Sequence, residues 1–279
     1  MRINNNYSAS NNNRQIGINN DKIAKNLEKL SSGRSINRAG DNAAGLAISE
    51  KLRGQIRSLD QASRNTQDGI SMLQTAEGGL QEINNMVIRI RELVTQAAND
   101  SNVSLDRAKI HTEVSQLRLE ISDMGVRTEF NTMSLLNLSG TTSKDFQIGA
   151  NNNQKISFEF SDVNVNAKVW TSLSTISDFG ASGFVTSTIA GYLSTIDSVL
   201  GNVTEARAKL GATINRLEYT NKSVQISSEN LSAAESRIRD TDMAKEMMKL
   251  TQANILQQAG VSMLAQANMA PQSVLQLLQ

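Results

Sequence analysis

From Gly45 to Ala98 apolar residues return every three or four positions, and no proline interrupts them. Leu52, Ile56, Leu59, Ile70, Leu73, Leu80, Ile83, Val87, Ile90, Val94 and Ala97 mark one face, with Ser63, Thr66 and Ala76 in its weaker positions. That period predicts one long amphipathic helix. At 1.5 Å per residue it spans roughly 80 Å, and so long a stripe must be covered by at least one other long helix, from this chain or a neighbour. Before it, Ile16, Ile23, Leu27 and Leu30 follow at spacings of seven, four and three, a short coiled-coil stripe. The asparagines at 4–6 and 11–13 are modest helix formers, so this helix needs partners. Ser31, Ser32 and Gly33 break the pattern, 35–45 reads as an ordered connector, and Asp41 or Asn42 is placed to cap the long helix.

The long helix is expected to end near 99–102, with Asp100 and Ser104 as cap or turn residues. Ile110, Val114, Leu117, Ile121 and Met124 then predict a second, antiparallel helix that stops at Gly125. Residues 128–192 hold eight of the ten aromatics. Within them Phe146-Gln147-Ile148 and the run 155–160 alternate on either side of 149–153, which predicts a β-hairpin. Trp170, Phe179 and Phe184 are expected to anchor a small cap, and 172–187 shows no clean period. Helical rhythm resumes at Leu193 and passes through Ile196, Leu200, Val203, Leu210, Leu217, Val224, Leu231, Ile238, Met243, Met247 and Leu250, as one helix or as two parting near Ser227. Val261, Leu264 and Ala267 carry it more quietly towards Pro271, and the apolar tail at 274–278 implies a partner.

The fold class is therefore mainly α: an elongated antiparallel helical bundle and terminal coiled coil with a small β-hairpin insert. Five segments follow from the pattern: an inner coiled-coil segment and connector at 1–43, helices at 44–130, hairpin and reduced insert at 131–192, a returning helix at 193–235, and a second terminal coiled-coil segment at 236–279. If the insert turns the chain around, both ends lie together.

Composition sharpens this picture. Among 279 residues, aromatics make up only 4% and proline occurs once, which suits closely packed helices of small, straight side chains. A net charge of +1 offers no broad field for nucleic acid or an anionic membrane. No apolar run reaches transmembrane length, and MRINNNYSAS lacks the apolar core of a signal peptide. Without cysteine there are no disulfides, thiol nucleophiles or thiolate metal sites.

Candidate chemistry is sparse. His111, the single histidine, reads as a core-edge or surface residue and assembles no triad. Asp240, Asp242 and Glu246 adjoin Arg237 and Arg239, which argues for ion pairing over a metal site. Gly78-Gly79 lacks the lysine and hydroxyl of a phosphate loop and reads as close helix packing or a slight bend. No catalytic, cofactor or metal site emerges, and the chain reads as a non-enzyme.

At its ends the chain resembles bacterial flagellin, in a short form. The blocks that carry the resemblance are KNLEKLSSGRSINRAGDNAAGLAISEKLRGQIRSLDQASRNTQDGISMLQTAEGGL at 25–80, IRIRELVTQAAND at 88–100, LSAAESRIRDTDMAKEMMKLTQANILQQAG at 231–260 and MLAQANMAPQSVLQLL at 263–278. Together the four blocks hold 115 residues and stand in the family's order. One departure lies at the start: the family commonly opens with a motif like MRINHNIAALNT, whereas here Asn5 replaces the histidine and polar residues replace part of the apolar run.

The resemblance implies a subunit that polymerises with itself into an extracellular flagellar filament for motility. Ile16, Ile23, Leu27, Leu264, Leu275, Leu277 and Leu278 would make self-assembly contacts. It implies export through the flagellar type III apparatus, a chaperone on the C-terminal region, and junction and cap proteins of the hook-associated class. It also implies a surface for a host Toll-like receptor, the family motif falling on Arg89, Leu93, Gln96 and Glu113. Two other readings stand beside it: a hook–filament junction protein with related end helices, and a host-adhesion or immune-interaction module built on the polar middle.

Overall fold

The computed structural model describes residues 6–137, 143–176 and 186–277, with the side chains of 166–167, 186–188 and 270–277 excepted. In chain order the elements are α1 (Tyr7–Ser32), α2 (Ala43–Ala97), α3 (Ser104–Arg127), β1 (Glu129–Phe130), β2 (Met133–Ser134), β3 (Ser143–Gln147), β4 (Lys155–Glu159), a 3-10 turn (Phe160–Val163), a π turn (Asn166–Trp170), α4 (Thr171–Leu173), α5 (Thr186–Arg239) and α6 (Met243–Leu277). The chain divides into two compact units: Met1–Ile56 with Glu229–Gln279, and Arg57–Ser228.

The second unit has a closed core. Leu73, Ala76, Leu80, Ile83, Val87, Ile90, Val94 and Ala97 alternate at steps of three and four along α2, and all are buried. Farther back, small residues hold the same phase. Ala62, Thr66 and Gly69 are covered, and Thr66 satisfies its hydroxyl by donating to the Ala62 carbonyl at 2.7 Å. On α5 the matching stripe is Ile189, Tyr192, Ile196, Val199, Val203, Ala206, Leu210 and Leu217, the three-four alternation of a coiled-coil seam. Ile110, Val114 and Ile121 bring α3 into the same core.

The insert closes over these helices. In β3 and β4, Lys144 pairs with Phe158 and Phe146 with Ile156 in an antiparallel register. Phe146 lies over Gly69, where an added Cβ would come within 2.8 Å of its ring. Phe158 and Phe160 meet edge to face at 4.9 Å. Val163, Val165, Val169, Leu173 and Ile176 complete the cover. The guanidinium of Arg118 lies 5.5 Å from the centre of the half-buried Trp170 ring and donates to the Ile176 carbonyl. Burial holds the Arg118 pKa below its ordinary value. Phe179 and Phe184 fall outside the described residues.

Several boundaries differ from the sequence expectation. Gly125 does not stop α3; it is buried inside the helix against Val165, and the helix ends at Thr128. Ser104 opens α3 behind Val103, which makes no side-chain cap. Near Ser227 α5 does not part; it runs unbroken to Arg239.

In the first unit α1 and α6 pair. Asn6 caps α1 by accepting from the Ala9 N–H at 3.1 Å and donates through Nδ2 to the Ala267 carbonyl at 2.7 Å. Gly33, at φ 69°, ends α1 in the left-handed region that glycine adopts without a steric penalty. The connector that follows is ordered by backbone bonds to the end of α5. The Ser35 N–H donates to the Arg239 carbonyl at 2.7 Å and the Thr241 N–H to the Gly33 carbonyl at 3.0 Å. Asp41 accepts from the backbone N–H groups of Asn37 and Arg38, which hold its carboxyl below the ordinary range. Asn42 caps α2, its Oδ1 accepting from Gly45 N–H at 2.9 Å. Arg239, buried, donates to Glu50 at 2.9 Å.

Candidate assembly and recognition surfaces

Along α1 Ala9, Asn12, Ile16, Asn19, Ile23, Asn26 and Leu30 are withdrawn from solvent in an uninterrupted alternation of three and four, joined near the end of the helix by the partly covered Glu28 and Lys29. This is a two-helix seam in which every second rung is asparagine. Ile16 and Ile23 lie on it. Leu27 does not: it is 51% exposed, because the seam passes through Asn26. The sequence stripe skipped the asparagines as polar and took the neighbouring leucine.

The matching seam of α6 is Glu246, Leu250, Ala253, Gln257, Gly260, Leu264 and Ala267. Leu264, half-buried, lies on it. Gly260 faces Ile16, whose Cγ1 would stand 3.0 Å from an added Cβ, so glycine lets the helices approach. Gln257 donates to the Asn20 side chain at 2.8 Å. The buried Glu246 carboxylate accepts from Lys249 at 2.8 Å and, with the Asn26 amide oriented by its neighbours, from Asn26 Nδ2 at 3.0 Å. A buried polar pair of this kind fixes register at the expense of apolar burial.

The continuous rhythm expected from Ile238 through Met243 and Met247 is broken. The chain leaves helix at Asp240, α6 starts in a new phase at Met243, and Asp242 caps it by accepting from Lys245 N–H at 3.1 Å. Met243 and Met247 are exposed as a result. Asp242 and Glu246 thus serve capping and pairing, and among the described residues no cluster of side chains could hold a metal.

Around the rest of its circumference, outside the seam, α6 carries Met243, Met247, Met248, Ile255, Leu256, Val261, Met263 and Met269, all exposed. Met247, Met248, Thr251, Gln252, Ile255 and Leu256 line a shallow groove of about 490 Å³. Tyr7 and Ile18 add exposed apolar surface on α1. Sequence reasoning missed Met248, Ile255 and Met263 as a surface. The available signal was that α6 is apolar all round, which one partner helix cannot cover. The side chains of Leu275 and Leu277, and all of Leu278, lie outside the described residues.

In the second unit Arg89 projects from α2 and forms a fork: Nη2 to Glu113 Oε1 at 2.9 Å and Nη1 to Glu92 Oε2 at 3.1 Å. The Glu113 bond, then the Glu92 bond, holds the guanidinium above its ordinary pKa. Gln96 is exposed two turns along. Leu93 is not part of this surface. It is 2% exposed and belongs to the core, being on the inward phase of α2 beside Ile90 and Val94. His111 is half-buried on α3.

Comparison with known proteins agrees with this arrangement of helical ends and insert. The family described as the bacterial flagellin N-terminal helical region matches residues 3–141, and the one described as the C-terminal helical region matches 193–278. The chain is 51% identical to the flagellin of Halalkalibacterium halodurans and 47% identical to that of Bacillus subtilis, each over the whole of both chains. It is 45% identical, again over full length, to the flagellar filament 31.3 kDa core protein of Treponema maltophilum. The crystal structure of Bacillus cereus flagellin superposes with a TM-score of 0.50 at 26% identity, covering 62% of this chain and 94% of that one. A putative flagellar hook-associated protein of Vibrio parahaemolyticus reaches a TM-score of 0.62 at 14% identity over 72% of this chain and all of its own, and so shares the fold alone. With half its residues shared with full-length relatives and both terminal regions matched, the chain belongs to the bacterial flagellin family.

Proposed function

We propose that the apolar face α6 turns away from α1 is where further copies of this chain pack. The protein is a structural filament subunit, as its family establishes. The single observation that carries the surface assignment is the run of exposed methionine, isoleucine, leucine and valine side chains around α6. An apolar face of this length is rare on a monomer and is expected where a partner sits. A second copy is the partner that a homopolymer supplies, and a surface that meets other regions of identical copies head to tail builds an open helix. Ile16, Ile23 and Leu264 support that surface from inside the α1–α6 seam, and the apolar sequence of Leu275, Leu277 and Leu278 makes them further self-association candidates.

The hook–filament junction reading is not favoured: full-length relatives called flagellins share about half the residues, whereas the hook-associated structure shares only the fold. No described helix is long and apolar enough to cross a membrane, and the place of action is the extracellular flagellar filament. Before assembly the same α6 face needs cover during type III export, and a chaperone that lays apolar side chains along it supplies that cover. A hook-associated junction protein that shares the fold, as the Vibrio parahaemolyticus protein does, would meet a filament end through an equivalent face, and a cap protein would cover the other end. A host Toll-like receptor would read Arg89, Gln96 and Glu113 on the free subunit, with Leu93 beneath them as packing.

The test is Ile255→Asp. Ile255 is 61% exposed in the chain, so the change leaves the monomer's helix content unaltered by circular dichroism. Burial of isoleucine at an interface contributes about 1.5–3 kcal/mol, so the critical concentration for seeded growth should rise by about tenfold or more. Growth at the parental critical concentration would reject this face.

A further inference from the structure

We propose that the exposed methionines of α6, Met247 and Met248 foremost, are an oxidation site through which hydroperoxides block assembly of the free subunit. The proposal rests on the assignment of this face to self-association. Five of the chain's ten methionines lie in α6 between 243 and 269, and all five are exposed, Met248 at 66%. In the other unit Met72 is buried, Met86 and Met124 are half-buried in the core, and Met133 is exposed at 37%, less than any of the five on α6. Reactive thioethers are thus concentrated on the face that must become dry. Met247 and Met248 also form part of the wall of the α6 groove, with Ile255 and Leu256.

The chemistry is a two-electron oxygen transfer. The Sδ lone pair attacks the terminal oxygen of a hydroperoxide, an S–O bond forms as the O–O bond breaks, the proton of the attacked oxygen passes to the departing one, and water or an alcohol leaves. Sulfur is oxidised to the sulfoxide as the peroxide is reduced. The product replaces a flexible apolar side chain by a polar, chiral one with a strong acceptor oxygen. In the free subunit that oxygen stays in water, so the α1–α6 seam, formed by other residues, is undisturbed. In an assembled face it would be buried without a donor, which opposes association. Assembly in turn removes the sulfur atoms from solvent, so the filament protects the residues that the free subunit exposes.

The experiment treats monomer and preformed filament with hydrogen peroxide, maps sulfoxides by peptide mass spectrometry, removes the oxidant and measures seeded growth. In monomer, Met247 and Met248 are oxidised ahead of Met72 with helix content retained, and the critical concentration rises by about tenfold or more. In filament the same two are protected. The M247L/M248L double variant, which conserves apolar volume, keeps growing after the same treatment. Normal growth of doubly oxidised monomer, loss of helix content on oxidation, or equal loss of growth in the double variant would each overturn the proposal. Ile255→Asp, run in parallel without oxidant, separates the two readings: growth of that variant rejects the assembly face, whereas its failure beside normal growth of oxidised parent rejects the oxidation site alone.

Discussion

Gly78 and Gly79 are adjacent in α2, yet they should respond in opposite ways to alanine. A Cβ on Gly78 would meet nothing within 4 Å, whereas one on Gly79 would stand 2.8 Å from Thr128 Oγ1, 2.9 Å from Leu136 Cδ1 and 3.0 Å from Thr128 Cγ2. Neither neighbour yields easily. Thr128 is held by its own bond to the Met124 carbonyl at 2.8 Å, and Leu136 is fully buried. Replacing a mid-helix glycine by alanine gains about 1 kcal/mol of helix propensity, and this gain is common to both sites. Overpacking costs about 1–3 kcal/mol, and only Gly79→Ala incurs it. Gly78→Ala should therefore stabilise the Arg57–Ser228 unit by about 1 kcal/mol, with Gly79→Ala about 1–3 kcal/mol less stable than Gly78→Ala. Urea unfolding followed by fluorescence of Trp170, the single tryptophan, reports on this unit directly. Equal stabilisation by both changes would refute the close packing of Gly79 against the β1–β2 region. Equal destabilisation would instead point to a bend that needs both glycines.

Two further changes probe the same unit. Ile83→Asp places a carboxylate at a fully buried position of α2 and should destabilise by about 4 kcal/mol or more, whereas Gln81→Asp, on a partly exposed position, should be mild; circular dichroism with seeded polymerisation would show it, and equal behaviour of the two would remove the inward stripe. Asp162 accepts from Lys209 at 2.8 Å, a bond that holds its carboxyl below the ordinary value of 3.8. A depressed carboxylate stabilises above its unfolded pKa and loses that contribution as pH falls through the folded one. Asp162→Asn should thus be less stable than the parent at neutral pH, the gap closing below pH 3.8; a gap constant with pH would sink the assignment.

The main helices were legible because their burial obeys simple periodicity. Leu73 to Ala97 on α2 and Ile196 to Val224 on α5 are rows that any helix of this phase must bury. The hairpin was legible for the same reason, as Ile156 and Phe158 alternate inward. Phase was lost where polar or small residues took inward positions. Asn19 and Asn26 replaced apolar seam residues, so Leu27 was taken for the seam although it faces outward. At 240–242 the phase changes within three residues through backbone bonds to the Gly33 connector, a long-range cause invisible to a local period. Leu93 shows the converse. Family likeness placed it on a surface with Arg89, while its own helical phase, shared with Ile90, placed it inside.

The two units differ in how far their cores are finished, and this difference bears on assembly. Arg57–Ser228 has a continuous buried core that runs through α2, α3, α5 and the insert, although side chains such as Val103, Leu105, Tyr219 and Ile226 stay exposed. Among the described residues of the terminal unit the buried apolar side chains are few: Ile36 and Ala253 are buried, and Asn19, Ser49, Arg239 and Glu246 are polar. Two paired helices with a half-polar seam bury too little to be strongly stable alone. Their polar rungs instead select one register, since a slip would break the bond between Asn26 and Glu246 across the seam. On the assembly face proposed above, addition of a copy on the outer surface of α6 would supply the missing burial, and association and stability of this unit would then be linked by mass action. A more apolar α1, with leucine at 19 and 26, would make the isolated pair more stable but would weaken the constraint on which helix it accepts. On that proposal specificity would be written into the inner seam, and the driving force for growth into the outer face.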